Sequence, residues 1–244
     1  MPPTLREQWT AAGYRSDYGS AAVVPPPPPA FIRAYHLTDA PFAISSIALC
    51  RLKVARFSDL NDPFELMAVN FRERRTRQIV RNFKNAYDSH TGLLCFSADW
   101  KNPVLWSHYG AKHRGVCLGF NVRREVVQHV RYEDERLLAQ LGESGDPNGI
   151  SEELQELLLC TKFRHWEYEQ ELRLFVPLET APREGSLHFY QFGENLQLAE
   201  IILGPQCNLS ISSVQELTQL RCPEAVVFES RLAFKYFAVV PASS

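Results

Sequence analysis

The hydrophobic pattern that begins at Phe31 constrains the fold more than any other feature of the sequence. Short stretches with a period of two, such as residues 52–57, predict half-buried strands, and stretches at helical spacing, such as residues 154–161, predict helices. These segments do not alternate as regular β-α-β units, and the chain has no internal repeat. We therefore predict an α+β fold in which helices flank a mixed, mainly antiparallel sheet.

Turn and capping residues place the boundaries of these segments. Thr38 or Asp39 before Pro41, and Asn102 before Pro103, are signals of a helix start. A Gly-, Asn- and Pro-containing stretch at 143–149 predicts a loop. We predict strands at 33–37, 52–57, 93–97, 115–121, 171–176, 187–192, 199–203, 226–229 and 235–240, and helices from 41, over 66–87, from 102, from 151 and over 212–220.

The first 30 residues differ from the rest and end in a run of prolines at 25–29. Such a run forms a polyproline II segment, which begins neither a helix nor a central strand and serves either as a stiff tether or as a ligand for a proline-binding module. We therefore predict a proline-rich tether over residues 1–30 and a single α+β domain over residues 31–244.

Charge and hydropathy exclude several classes of protein. The formal net charge is −2, whereas proteins that coat nucleic acid carry an excess of Lys and Arg. No apolar stretch reaches the ~18 to 20 residues that cross a bilayer, and no basic segment with an apolar h-region begins the chain. We expect a cytoplasmic protein that does not bind membranes.

The sequence also lacks the common motifs of metal and cofactor sites. It has no G-x-G-x-x-G, Walker A, H-E-x-x-H or G-x-S-x-G sequence. The six cysteines form no C-x-x-C pair, so we expect neither a zinc site nor a dithiol redox centre, and we expect most of them to be buried in the core. On a helix, His108 and His113 point about 140° apart, which disfavours a two-histidine metal site.

Four polar clusters remain as candidate sites. The first, Y-H-L-T at 35–38, is either a satisfied strand-to-helix junction or a place where His36 bonds a polar ligand. The second, N-D-P-F-E at 61–65, is either a tight turn bonded to its own backbone or a source of acid groups for a cleft, namely Asp62 and Glu65.

The third cluster lies on the helix that begins after Asn102. Ser107, His108 and Tyr109 occupy adjacent faces of one turn, and each carries a polar group that needs a partner if it is buried. The Tyr109 ring also offers a flat surface on which a ligand ring can stack.

The fourth cluster is the stretch 162–173. If residues 168–173 are extended, Glu169, Glu171 and Arg173 point to the same face. This arrangement is either an ion-paired edge strand or a carboxylate that its neighbours hold in place to stabilise a developing positive charge.

A basic segment adds a candidate contact surface for phosphate, nucleic acid or a protein acceptor, the alternative being a solvated helix face. From 70 to 84 its only acid is Glu73. The basic residues are Arg72, Arg74, Arg75, Arg77, Arg81 and Lys84.

These motifs, in this order, resemble a bacterial domain family of unknown function. Its members share a Tyr/His-containing opening strand, an N-D-P-F-E turn, a W-S-H-Y helix and a W-x-Y-E-x-E-x-R strand, and the resemblance covers roughly residues 33 to 205. At the family level, it suggests a role in phage defence or as a toxin.

A second resemblance implies a particular reaction. The Y-H-x-T strand, the apolar strand that runs into N-P-V-L-W-S-H-Y and the late strand with a Glu are similar to the H-Y-E arrangement of ADP-ribosyltransferases, especially the toxins that modify nucleic acid. The resemblance implies a split, mainly antiparallel sheet with NAD, the substrate, in its cleft and no metal.

The resemblance also implies roles for particular residues. His36 holds the nicotinamide ribose with support from Thr38, Tyr109 stacks against nicotinamide, and Glu171 or Glu169 bonds the ribose 2′-hydroxyl and stabilises the oxocarbenium-like centre. Glu200, at the start of a buried strand, is a third candidate for this carboxylate. The implied NAD-binding residues are His36, Thr38, Ser107, His108, Tyr109 and Arg173.

Two other functions stay open from the sequence. One is a metal-dependent phosphodiesterase or nuclease in which Mg²⁺ is bound by carboxylates and assisted by Lys162 or His108. Its candidate ligands are Asp62, Glu65, Glu169 and Glu171. The other is a non-catalytic sensor or adaptor whose cleft binds a nucleotide.

Overall fold

The computed structural model describes residues 24–68, 72, 74–136 and 151–242. Within these residues the chain divides into two compact units, each built from separate stretches of sequence. The single-domain boundary at 31–244 stays a prediction. Unit 1 takes its described residues from Met1–Cys50, Ala98–Arg123 and Phe192–Ser244, and unit 2 takes them from Arg51–Ser97 and Arg124–Gln191.

The secondary structure is α+β, as the sequence predicted. The strands are β1 Phe31–Thr38, β2 Arg51–Val54, β3 Thr91–Ser97, β4 Val116–Arg123, β5 Gln128–His129, β6 Arg131–Glu133, β7 Thr161–Phe163, β8 Glu171–Pro177, β9 Arg183–Glu184, β10 Leu187–Gln191, β11 Leu196–Leu203, β12 Val226–Leu232 and β13 Val239–Pro241. The described α-helices are α1 Ala40–Leu49, α2 Arg74–His90, α3 Pro103–Tyr109, α4 Glu152–Leu159 and α5 Ile211–Arg221. Short 3₁₀ helices span Phe57–Asp59, Arg124–Val126 and Arg164–Glu169. Among the described residues, no helix has both the length and the apolar character needed to span a membrane.

In unit 1 the strand order is β13-β12-β11-β4-β1. All of these pairs are antiparallel except β11 with β12, which is parallel. Apolar side chains such as Phe120 and Ile201 are fully buried. Gly119 on β4 has no side chain because a Cβ there would lie 2.9 Å from the Cβ of Glu200 and 3.0 Å from the ring of Tyr35.

In unit 2 the strands lie in the orders β3-β8-β5, β2-β10-β9 and β6-β7. Among the described strands of this unit, only the β6-β7 pair is parallel. A hydrophobic core that includes Phe57, Leu66, Val80 and Leu158 lies among these elements and α2 and α4. The mixed, mainly antiparallel pairing that the sequence predicted is thus confirmed in each unit.

The helix starts follow the capping residues. Asn102 begins α3, and its Oδ1 accepts a hydrogen bond from the Val104 amide at 2.9 Å. Asp39 precedes α1 without a side-chain cap, and Pro41 in the first turn removes one of the amides that would need a partner. The predicted start of α3 is confirmed with its cap, whereas α1 begins at Ala40, one residue before the predicted position, and the predicted side-chain cap is wrong.

Several predicted boundaries are wrong. The strand predicted at 52–57 ends at Val54, and Phe57 instead begins a 3₁₀ turn that buries its ring. The last strand is shorter than predicted, since residues 233–238 form a connection in which Phe237 is fully exposed. The predicted segment 66–87 becomes α2 only from Arg74, after a turn at Leu66, whose φ is 63°. The loop at 143–149 and the tether up to residue 23 lie outside the described residues.

The prediction that most cysteines are core residues is also wrong. Only Cys117 and Cys160 are buried, and the other four are partly exposed.

Candidate functional site

Among the described residues of unit 2, six charged side chains are almost completely shielded from solvent, and five of them, all but Asp62, form one ion-paired group. We call these five the ionic cluster: Glu65, Lys162, Glu169, Glu171 and Arg173, each 7% exposed or less. Three carboxylates and two cations give it a formal charge of −1. Burying charges is unfavourable unless they are paired and hydrogen-bonded, so the geometry of this cluster determines its effect on the stability of the fold.

Arg173 uses all five of its N–H donors. Its Nε and Nη2 donate to the Glu171 carboxylate at 2.9 and 3.0 Å, and its Nη1 and Nη2 donate to the Glu65 carboxylate at 2.6 and 3.0 Å. The fifth donor bonds the Leu159 carbonyl at the end of α4. Two bidentate carboxylate contacts of this kind are the strongest pairing available to a guanidinium.

Lys162 joins the remaining carboxylate to the cluster. Its Nζ lies 2.8 Å from Glu169 and 2.8 Å from Glu171. Burial raises the pKa of Glu171, but the charges of Arg173 and Lys162 and their hydrogen bonds outweigh it and lower the pKa to about 2. Glu171 is therefore ionised at every ordinary pH.

The sequence predicted the meeting of Glu169, Glu171 and Arg173, but the predicted backbone is wrong. Only Glu171 and Arg173 lie on β8; Glu169 ends a 3₁₀ helix, and Gln170 follows in the left-handed region with φ 43°. The turn, not strand alternation, brings the Glu169 carboxylate to Lys162.

The N-D-P-F-E segment forms the predicted tight turn, but its acids Asp62 and Glu65 are both buried and neither lines the cavity described below. Asp62 accepts a hydrogen bond from the Phe64 amide at 2.9 Å, which is the expected side-chain turn. The same turn directs Glu65 to Arg173, 108 residues later.

A cavity of about 270 Å³ in unit 2 adjoins the ionic cluster, because Lys162 also lines it. Beside Lys162 lies Thr161, whose Oγ1 is buried and has no hydrogen-bond partner among the residues that the structure describes. The apolar part of the wall is Phe64, Met67, Ala68 and Phe163, and the charged part is Glu133, Asp134, Glu135 and Arg136. Sequence reasoning missed Thr161, since a lone threonine in a short strand gives no signal.

The other predicted site residues lie in unit 1. His36 and Thr38 are on β1 and partly exposed, and Ser107, His108 and Tyr109 end α3. The Ser107 hydroxyl lies 3.1 Å from Nε2 of His113 and 3.0 Å from the Pro103 carbonyl, as expected for a helical serine. The His108 and Tyr109 rings are neighbours, with centroids 6.0 Å apart.

Glu200 is also in unit 1, where it forms an ion pair with Arg33. It lies opposite Gly119 on β4, as does Tyr35, whereas His36 lies opposite Leu118. Because neighbouring residues of a strand point to opposite faces, Glu200 and His36 are on opposite faces of the unit 1 sheet. The geometry does not make Glu200 the partner of His36.

The basic segment forms an exposed face of α2. Arg74, Arg77 and Arg81 are exposed and follow helical spacing, and Arg72 is exposed just before the helix. The side chain of Arg75 lies outside the described residues.

The carboxylates that we considered as Mg²⁺ ligands from the sequence already have protein partners. Glu65 and Glu171 bond Arg173, and Glu169 bonds Lys162, so a metal ion would have to displace these cations. In the part of the chain that the structure describes, no group of three His, Cys, Asp or Glu residues is arranged to hold a metal.

Comparison of the chain with protein-family models, with curated proteins and with solved structures finds no match.

Proposed function

We propose that the protein is an ADP-ribosyltransferase-like enzyme that breaks the N-glycosidic bond of NAD and transfers ADP-ribose to a macromolecule or to water. The observation that supports this best is the ionic cluster of unit 2, in which Lys162 lines a cavity and holds the buried Glu169 carboxylate at 2.8 Å. Departure of nicotinamide leaves positive charge on the ribose, and a fixed carboxylate stabilises that charge. We also propose that the sheet is the split, mainly antiparallel sheet of ADP-ribosyltransferases.

The cavity suits the nicotinamide end of NAD. At about 270 Å³ it is slightly smaller than the roughly 300 to 1,000 Å³ of ordinary ligand sites, so it fits part of a dinucleotide. The nicotinamide ring of NAD is flat and positively charged, which matches apolar walls from Phe64 and Phe163 and nearby carboxylates of Glu133 and Glu135. Rotation of the Thr161 side chain, whose buried hydroxyl has no hydrogen-bond partner among the described residues, would bring that hydroxyl to the carboxamide.

The two clustered glutamates have different tasks in this proposal. Glu171 bonds Arg173 through both oxygens, so it fixes the positions of the two cations. We assign the ribose contact to Glu169, which bonds Lys162, the cluster residue that lines the cavity. The roles that the resemblance gives to His36, Thr38 and Tyr109, and an acceptor bound by the arginines of α2, stay predictions.

The test is the release of nicotinamide from NAD by the purified protein, with and without nucleic-acid or protein acceptors. Glu169→Gln should lower the rate by about 10²- to 10³-fold, the loss typical of removing one charge-stabilising group. Glu167→Gln is the matched control, because Glu167 is exposed on the same 3₁₀ helix and only approaches Arg164, at 3.8 Å. The proposal is wrong if the wild type shows no saturable NAD binding and no nicotinamide release, and if Glu169→Gln and Glu171→Gln give the same result as the wild type.

One observation favours a second candidate, a non-catalytic nucleotide sensor. Every donor of Arg173 and both oxygens of Glu171 are already bonded, as in a site built for rigidity. Saturable NAD binding without turnover, weakened by Thr161→Val, would indicate the sensor. Cleavage of DNA or RNA that EDTA abolishes would instead indicate the metal-dependent nuclease.

A further inference from the structure

Two cysteines far apart in the sequence meet in unit 1. The Sγ atoms of Cys50 and Cys222 are 3.9 Å apart, although the residues are separated by 172 positions. Both thiols are free, and both residues are partly exposed. A disulfide has an S–S length of about 2.05 Å, so the sulfurs need to approach by roughly 2 Å.

The backbone holds both thiols at the ends of packed helices. Cys50 follows α1 and Cys222 follows α5, and these two helices pack against each other. Cys50 adopts the left-handed conformation, with φ 49° and ψ 48°, at a helix end where glycine is usual. Its Sγ lies 3.6 Å from the Ile47 carbonyl and 3.6 Å from the Arg221 carbonyl, so its thiol is directed towards α5.

We propose that Cys50 and Cys222 are a reversible redox pair, which closes to an intramolecular disulfide in the presence of a small disulfide oxidant such as oxidised glutathione. One cysteine thiolate attacks the oxidant, which forms a mixed disulfide and releases one glutathione. The second cysteine then attacks the mixed disulfide, so that the protein S–S bond forms and the second glutathione leaves. The two cysteine protons end on the two glutathione thiols, and the oxidant takes up two electrons.

The surroundings set the speed of this exchange. Burial and the adjacent Cys50 thiol raise the pKa of Cys222 to about 12, so its thiolate is scarce at neutral pH. Because the thiolate is the attacking species, closure should be slow at pH 7 and should accelerate by up to about tenfold per pH unit towards pH 9. A thiol that is not stabilised as a thiolate also favours the disulfide at equilibrium.

The test counts free thiols before and after incubation of the folded, full-length protein with oxidised glutathione. The reduced protein should present six cysteines to an alkylating reagent after unfolding, and the oxidised protein four, with a Cys50–Cys222 linked peptide in the digest that a reductant removes. Cys50→Ser and Cys222→Ser should each keep all their remaining thiols. Cys207→Ser is the matched control, because Cys207 is also partly exposed, and it should still lose two thiols.

The proposal is overturned if Cys50 and Cys222 of the oxidised wild type are both alkylated. It is also overturned if Cys50→Ser loses two thiols as readily as the wild type, since oxidation would then not depend on this pair. Failure of the NAD assay has no bearing on either result.

Discussion

Replacing Arg173 with methionine removes the cation that joins Glu65 and Glu171 and leaves the carboxylates buried. Adding up five hydrogen bonds to a charged group at about 1.5 to 3 kcal/mol each would match the whole stability of an ordinary domain, so that sum is not a net contribution. Removing one partner of a buried ion pair typically costs about 3 to 5 kcal/mol. We expect a loss of that size at pH 7, measured as the free energy of unfolding in urea and followed by tryptophan fluorescence.

The loss should depend on pH in a defined direction. In the wild type, the pKa of Glu171 is lowered from 4.5 to about 2, so the stability it contributes is complete above pH 4.5 and disappears as the pH falls through about 2. That shift corresponds to about 3 kcal/mol, of which about 2 kcal/mol is lost by pH 3. In Arg173→Met, burial without the guanidinium raises the pKa of Glu171, and protonation relieves the unpaired charge. The difference between the two proteins should therefore shrink by at least about 2 kcal/mol from pH 7 to pH 3.

Arg131→Met is the matched control for this experiment. Arg131 pairs with Glu156 at 3.2 Å in the same unit, but the side chains are 61% and 53% exposed. Its loss should cost less than about 1 kcal/mol at every pH. If Arg173→Met is as mild as Arg131→Met, or if its cost is constant down to pH 3, the account of the ionic cluster is refuted.

Three further changes test local features by thermal and urea unfolding. Gly119→Ala should destabilise by about 1 to 3 kcal/mol, because its Cβ would lie 2.9 Å from that of Glu200; a neutral result would mean that the strands separate easily. Asn102→Ala should cost about 1 kcal/mol by removing the cap of α3, and an unchanged midpoint would contradict the capping role. Gln170→Gly should stabilise by up to about 1 kcal/mol, since glycine adopts the left-handed conformation without strain, and a loss of stability would show that the Gln170 side chain contributes more than this strain.

Local signals in the sequence were enough to identify most elements of the fold. The apolar run at 93–97 gave β3, and the residues before Pro41 and Pro103 gave the starts of α1 and α3, because these features depend on neighbouring residues. Where a side chain was attracted by a distant core, as Phe57 was, the local pattern misplaced the boundary.

The candidate site was less accessible to sequence reasoning. The sequence showed the acidic residues near β8. It did not show that Glu65, 108 residues earlier, is a partner of Arg173, because no local pattern reveals where the side chains of an N-D-P-F-E turn point. The pairing of Cys50 with Cys222 was missed for the same reason, since the search for redox cysteines relied on short spacing. Contacts between residues more than a hundred positions apart depend on the completed fold.

Because every N–H donor of Arg173 is bonded, the residues around it cannot easily change one at a time during evolution. Any single change at Glu65, Glu171 or Arg173 leaves a buried charge or carbonyl without its partner, so each first step is selected against. A well-packed apolar replacement of the whole group can be as stable as the original, yet it is reached only through those unstable intermediates. Substitutions at these three positions should therefore be inherited together, so that their covariation distinguishes lineages that keep the ionic cluster from lineages that have replaced it.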